Sequence, residues 1–164
     1  MTHMHQVHRE SLVLKKINKG ELSLLLQLHQ YNNPEHMLSE NSELLDSASI
    51  DIYGLFYDSA IIGELRVKYR DQDPAIAFPG RRVYLYALRI LDNYRNLGLG
   101  TYILNSVISM LENDGYREFT IGVEDKNTIA RKLYGKFSFV HRIKRVYEIY
   151  QGDTYEYDLL LRQQ

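Results

Sequence analysis

Apolar and polar positions along this chain change period repeatedly, and each change marks an element. Ser11 to Ile17 (SLVLKKI) reads as a short strand. In Glu21 to His29, Leu22, Leu25 and Leu26 fall on one helical face. Pro34 to Leu45 reads as a second helix without a sharply defined face. Ile52 to Tyr57 and Ile61 to Tyr69 read as paired strands joined across Asp58-Ser59-Ala60. In the latter, Leu65, Val67 and Tyr69 alternate with Glu64, Arg66 and Lys68, which predicts a half-buried strand with one wet face. Arg82 to Ile90 (RVYLYALRI) is almost wholly β-favouring and reads as a central strand. Gly98 to Leu111 carries Leu99, Ile103, Val107, Met110 and Leu111 on one stripe, a helix of about four turns ended by Gly115. Arg117 to Val123 is a further strand. Asn127 is a good N-cap for a helix with Ala130, Leu133, Tyr134 and Phe137 inward. Phe139 to Tyr150 and Thr154 to Leu161 form a last hairpin around Gln151-Gly152-Asp153. The order β-α-α-β-β-β-α-β-α-β-β predicts an α/β (α+β) chain with an antiparallel run in its middle, not a doubly wound repeat.

Composition narrows the classes. A length of 164 residues points to one domain over 1–164, with residues 1–10 a polar, flexible tail. Twenty Lys and Arg against 21 Asp and Glu give a net charge of −1, which argues against a protein that grips nucleic acid by bulk charge. With no cysteine, disulfides, thiolate zinc sites and Cys nucleophiles are excluded. No apolar run reaches the roughly 18 residues of a membrane span, and the start lacks a signal peptide's apolar stretch, so a cytoplasmic location is expected. His3, His5 and His8 are expected to be mobile rather than metal-binding, and no metal is expected. Fourteen Tyr with no Trp supply hydroxyls that pack in a sheet and still reach a cleft.

The most informative segment is Tyr94-Arg95-Asn96-Leu97-Gly98-Leu99-Gly100-Thr101, between a strand and a helix. Its glycines let the backbone turn sharply and approach a ligand closely. The following helix N-terminus favours phosphate, and Arg95 adds a full positive charge. A triphosphate P-loop requires Gly-Lys-Ser/Thr, and here Thr101-Tyr102 follows Gly100. A dinucleotide fingerprint requires a small residue where Ile103 stands. A plain helix-capping turn fits the segment as well as a phosphate loop does.

The remaining pattern, Arg-x-x-Gly-x-Gly, resembles the pyrophosphate loop of the GNAT superfamily of acyl-CoA-dependent N-acetyltransferases. About 30 residues downstream, Val123 to Phe139 resembles that family's second hallmark: Asn127, Ala130, Tyr134 and a closing Phe139, with Ser138 where the family usually has Gly. The resemblance covers roughly Ile52 to Leu161. It implies a mixed, mostly antiparallel central sheet splayed at strands 4 and 5 and flanked by helices.

It also implies acetyl-CoA (coenzyme A) as co-substrate and direct acetyl transfer to a primary amine of a small molecule or peptide in a ternary complex. Leu88, Arg89 and Ile90 would offer backbone to the pantetheine arm in the manner of an added strand. Arg95, Asn96, Leu97, Gly98, Leu99, Gly100 and Thr101 would wrap the pyrophosphate. Asn127 would contact the arm or fix the second strand. Tyr134 stands at the family's thiolate-protonating position, and otherwise packs against Leu133 and Phe137. Where relatives place a base, this chain has Arg82, Tyr84 and Tyr86. A water relay or a carboxylate must deprotonate the amine, with Glu64 the candidate. Tyr84 and Tyr86 are expected to line the acceptor side.

His29 and His36 read as surface residues. Arg131, Lys132, Lys136, Arg142, Lys144 and Arg145 read as a solvated face or a dock for the adenosine 3′-phosphate. Tyr147, Tyr150, Tyr155 and Tyr157 suggest a homodimer through the last hairpin. A non-catalytic acyl-CoA-binding sensor module is the alternative to an enzyme.

Overall fold

A computed structural model describes residues 7–150 and 152–163, so His3, His5 and the hairpin residue Gln151 lie outside the described residues. The strands are β1 (Leu12–Lys16), β2 (Ile50–Tyr57), β3 (Ala60–Lys68), β4 (Arg82–Ile90), β5 (Glu118–Val123), β6 (His141–Tyr150) and β7 (Asp153–Gln163). The helices are α1 (Pro34–Asp46), α2 (Leu99–Asn113) and α3 (Thr128–Lys136). The strands run in the order β1-β2-β3-β4-β5-β7-β6 in a seven-stranded sheet, with β4 and β5 parallel. Two compact units form. One comprises the described residues up to Arg66 with Ala87–Ile108, and the other comprises Val67–Tyr86 with residues 109–163.

In the first unit, Lys19–Gln27 forms a 3-10 helix rather than the expected α-helix. Leu22 and Leu25 are buried while Leu26 is exposed, because a three-residue period aligns i with i+3. The Glu21 carboxylate accepts from the Asn18 N–H at 3.2 Å and fixes the start. Asn33 caps α1 by accepting from the His36 N–H at 3.1 Å, and Pro34 takes the first position, where no N–H is needed. Asp58 and Ser59 both hold left-handed backbone (φ 48° and 70°), the twist that a two-residue hairpin between β2 and β3 requires. Ile17, Leu22, Leu25, Met37, Ile50, Ile52, Phe56 and Ile61 form the core of this unit.

The expected wet face on β3 is absent. Ile61 through Val67 are all buried, Glu64 and Arg66 included. These charges enter the interior because they neutralise each other there. Met110, expected on the inner stripe of α2, is 40% exposed.

In the second unit, the parallel register of β4 and β5 runs from Arg82↔Glu118 to Leu85↔Ile121. β4 then continues to Ile90, after Ala87 adopts φ 56°, a conformation unusual for a residue with a Cβ. β5 pairs antiparallel with β7, and β7 with β6, whose register shifts between Arg142 and Lys144. Ile76, Ala77, Val146, Tyr157 and Leu159 form the core here. Tyr157 is thus buried, and it offers none of the surface expected of the hairpin tyrosines. Glu118 accepts from Arg81 at 2.9 Å and Arg82 at 2.8 Å. Its burial disfavours the charge, but the two guanidinium bonds outweigh it and lower its pKa.

Candidate active site

The glycine loop is built in the first unit. Leu91 N–H donates to Ile62 C=O at 2.8 Å, Asp92–Tyr94 makes one 3-10 turn, and the chain swings into α2. Asn96 (φ 64°) and Gly98 (φ 77°) supply the left-handed conformations of the swing. The Tyr102 N–H donates to Gly98 C=O at 3.0 Å, which is the first bond of α2. The N–H groups of Leu99, Gly100 and Thr101 precede that bond and have no acceptor within the helix. They form an anion-seeking end with the positive helix pole behind them. Arg95 is exposed beside it, paired with Asp92 at 3.1 Å and donating to Ile90 C=O at 3.2 Å. Arg9, on the short turn Arg9–Ser11 of the expected tail, brings a second cation over the Tyr102 ring; its Nη2 lies 3.8 Å from where a Cβ on Gly98 would be. Gly63 lets β3 lie close to the end of β4. A Cβ there would meet Ile90 Cδ1 at 2.8 Å and the Arg89 C=O at 3.0 Å.

Beside the loop is a cavity of about 490 Å³, lined by Leu28, His29 and the run Arg89 to Arg95. Its wall is continuous with a buried charge cluster. Glu64, fully buried, accepts from Arg66 Nε at 3.0 Å and from Arg89 Nη1 at 2.7 Å. The Tyr31 hydroxyl accepts from Arg66 at 2.7 Å and Arg89 at 3.3 Å. Asn41 donates to Met37 C=O at 2.8 Å and faces Arg66 with its oxygen at 3.5 Å. Burial, then the charge of Arg89, lowers the pKa of His29.

The second unit carries the hydroxyls. The Tyr84 and Tyr86 rings stack at 5.4 Å, 3° from parallel. Tyr157 donates to the carboxylate of exposed Glu148 at 3.2 Å, and the Tyr84 hydroxyl and the Tyr157 ring both lie against Gly122. Burial, and then Tyr157, raise the pKa of Tyr84 well above that of a free phenol. Gly122 makes room for both side chains, since a Cβ would lie 2.6 Å from the Tyr157 ring and 3.1 Å from the Tyr84 hydroxyl.

Tyr134 on α3 is 8% exposed and packs edge-on to Phe139 at 6.3 Å. Burial lifts its pKa to about 12, and among the described residues no group hydrogen-bonds its hydroxyl. Buried hydroxyls nearly always have a partner, which makes this one an exception. Asn127 caps α3, accepting from the Ala130 N–H at 3.0 Å.

Glu64, Leu88, Arg89, Ile90 and the segment Arg95 to Thr101 therefore belong to the first unit, and Tyr84, Tyr86, Asn127 and Tyr134 to the second. Glu64 accepts from a guanidinium at each oxygen. Sequence reading missed Tyr31, Arg66, Arg9, Tyr157 and Glu148 as members of these constellations. Much of the basic cluster is compensated. Arg131 meets Asp158 at 2.8 Å and Asp125 at 3.2 Å. Arg145 meets Asp125, Asp158 and Glu156, and Lys144 is bonded to Asp73. Among the described residues, no cluster of His, Asp and Glu is arranged to hold a metal, and no helix is long and apolar enough to cross a membrane.

Comparison with known proteins agrees with this geometry. Residues 21–139 match the model of the acetyltransferase (GNAT) family. N-alpha-acetyltransferase MAK3 of Arabidopsis thaliana is 24% identical over 148 residues, 83% of this chain and 75% of that protein. N-alpha-acetyltransferase 50 of Danio rerio is 38% identical over 60 residues, so the match spans only 36% of each chain. The fold matches a GNAT family acetyltransferase from Elizabethkingia anophelis solved with acetyl-CoA bound, with a TM-score of 0.65 and 19% identity over 95% of this chain and all of that one. The strand-to-helix glycine turn and the family match both belong to one lineage: this chain is a member of the acetyltransferase (GNAT) family.

Proposed function

We propose that the protein transfers the acetyl group of acetyl-CoA to a primary amine by direct attack, as one N-acetyltransferase domain over 1–164. The observation that carries this reading is the Arg95 to Thr101 turn, which leaves the first N–H groups of α2 without helical acceptors and has the cations Arg9 and Arg95 at its flanks. Pyrophosphate is the group such an end suits. Leu88, Arg89 and Ile90 offer backbone groups to the pantetheine arm. With the Asn127 oxygen engaged at Ala130, its amide nitrogen is the part that contacts the arm. Acetyl-CoA, when bound, supplies a thioester-activated acetyl group; the chain positions it and handles protons. The N-alpha-acetyltransferase relatives favour a peptide α-amine as acceptor, with a small-molecule amine as the other member of the class.

Tyr134 serves the leaving thiolate. Full proton transfer from a phenol at about 12 to a thiolate whose thiol lies near ~8.5 would cost about 5 kcal/mol. Its hydroxyl therefore acts chiefly as a hydrogen-bond donor that stabilises developing negative charge. The side chains that offer the amine proton a route are Tyr84 and Tyr157, with Glu148, bonded to Tyr157 at 3.2 Å, as the carboxylate that receives it at the surface. Glu64 is reassigned from base to anchor of Arg66 and Arg89. Exposed Tyr147 and Ile149 on the edge strand β6 support a homodimer, which light scattering at tens of micromolar would test.

The cofactor assignment is tested by Gly100→Asp, which adds a side chain and a negative charge at the first turn of α2. Coenzyme A affinity measured by calorimetry falls at least ~10-fold in a folded variant. Unchanged affinity removes the loop from the cofactor site.

A further inference from the structure

We propose that Arg89 selects an acceptor bearing a carboxylate close to the amine that is acetylated. This rests on the N-acetyltransferase reading and names its substrate class. The starting point is where Arg89 stands. Arg66 donates to Glu64, Tyr31 and Asn41, and Arg89 bonds the same Glu64 and Tyr31 from the cavity wall. Arg95, on the same wall, is paired with Asp92.

Arg89 is placed to receive an anion. Its Nη1 is engaged by Glu64 and Tyr31, and its guanidinium carbon lies 5.8 Å from the centre of the Tyr31 ring. Among the described residues nothing engages its Nε or Nη2. A guanidinium fixed on one side with two donors open on the other is matched by the two oxygens of a carboxylate. The 490 Å³ cavity is of small-ligand size. The carboxylate has two sources: the free α-carboxylate of an amino acid, or an acidic side chain near the N-terminus of a peptide.

The experiment measures binding and turnover on the same samples, with coenzyme A or acetyl-CoA present. Two acceptor pairs separate the sources: an amino acid against its amide, and a peptide beginning with Glu against one beginning with Gln. In one pair or both, the carboxylate form binds at least ~10-fold tighter, and the preference appears in KM rather than kcat. Arg89→Gln brings that ratio to about one, and Arg89→Lys, which keeps the charge beside Glu64, retains part of it. Ratios within about twofold for both pairs in the unaltered protein overturn the proposal whatever the variants do. So does an undiminished ratio in folded Arg89→Gln. Tight carboxylate binding without turnover of any acceptor upholds the carboxylate site and instead overturns the enzymatic reading.

Discussion

The two units bury polar chemistry in opposite forms. The first buries charge: Glu64, Arg66 and Arg89 are locked together and shielded by Tyr31 and Asn41. The second buries two carboxylates, Glu118 and Asp158, and adds neutral hydroxyls: Tyr157 bonded to Glu148 beside half-buried Tyr84, and Tyr134 with no hydrogen-bond partner among the described residues. Fixed charge suits the recognition of an anion, because it is present at every working pH. Buried phenols suit proton handling, because burial keeps them protonated until a reaction demands otherwise. The arginines that pair Glu118 and Asp158, chiefly Arg81, Arg131 and Arg145, are exposed or part-exposed, and these pairs tie strands rather than hydroxyls. This contrast makes different demands on stability and on rate, and substitutions separate them.

The largest expected effect is on the buried charge. Glu64→Gln leaves two guanidinium groups without their carboxylate and costs about 3–5 kcal/mol of stability, measured by urea unfolding. A loss below about 1 kcal/mol would mean that the cluster is solvated rather than mutually dependent.

Tyr134→Phe has the reverse signature. Turnover falls by roughly 10²-fold or more, while stability holds or rises slightly because an unbonded hydroxyl has been removed. Full activity would reduce Tyr134 to packing.

Gly122→Ala forces the Tyr157 ring to move, since the added Cβ would lie 2.6 Å from it. Turnover drops by about 10-fold as the Tyr157 ring and the Tyr84 hydroxyl are displaced, and Tyr157→Phe lowers it by a similar factor. Unaltered rates in both variants would dismiss the proton chain.

The smaller effects concern pH. Tyr134 and Tyr157 have folded-state pKa values raised to about 12, chiefly by burial, against about 10 when unfolded. Their contribution is full below about pH 10 and is lost as the pH rises toward 12, so unfolding midpoints fall in that window and Tyr134→Phe flattens the fall. The carboxyls behave oppositely. Hydrogen bonds from Arg131 and Arg145 lower the Asp158 pKa, so its stabilisation is present above the unfolded value near 3.9 and is lost as acid is added. Arg142→Ala, which removes an exposed partner 3.7 Å from Asp158, changes stability by less than about 0.5 kcal/mol.

Much of the fold was legible because its boundaries carry local chemistry. Pro34 opens α1, Asn127 caps α3, and Gly115 ends the turn after α2, so the order of elements follows from short-range patterns. The glycine loop and Tyr134 were legible for the same reason, as compact motifs. Glu64 was not. Its alternation with Leu65 and Val67 reads as a solvated face, and its burial is made tolerable by Arg66 together with Arg89, 25 residues on, with Tyr31, on another element, holding both guanidinium groups. The left-handed Ala87 in β4 has no glycine or asparagine to mark it. Tyr157 stood undistinguished among 14 tyrosines until β7 brought it against Gly122. The basic residues of α3 and β6 read as a free patch because their partners Asp73, Asp125 and Asp158 are scattered along the chain.

The central claim, acetyl transfer to an amine, is tested most directly by acetyl-CoA turnover across peptide N-termini, amino acids, polyamines and aminoglycosides. Free thiol and acetylated product are measured together. The account predicts equal release of coenzyme A and acetylated amine with at least one acceptor class, and a rate that falls by roughly 10²-fold in Tyr134→Phe. Tight coenzyme A binding with no acetylated product from any acceptor, in both proteins, would contradict it and make the chain an acyl-CoA-binding module without catalysis.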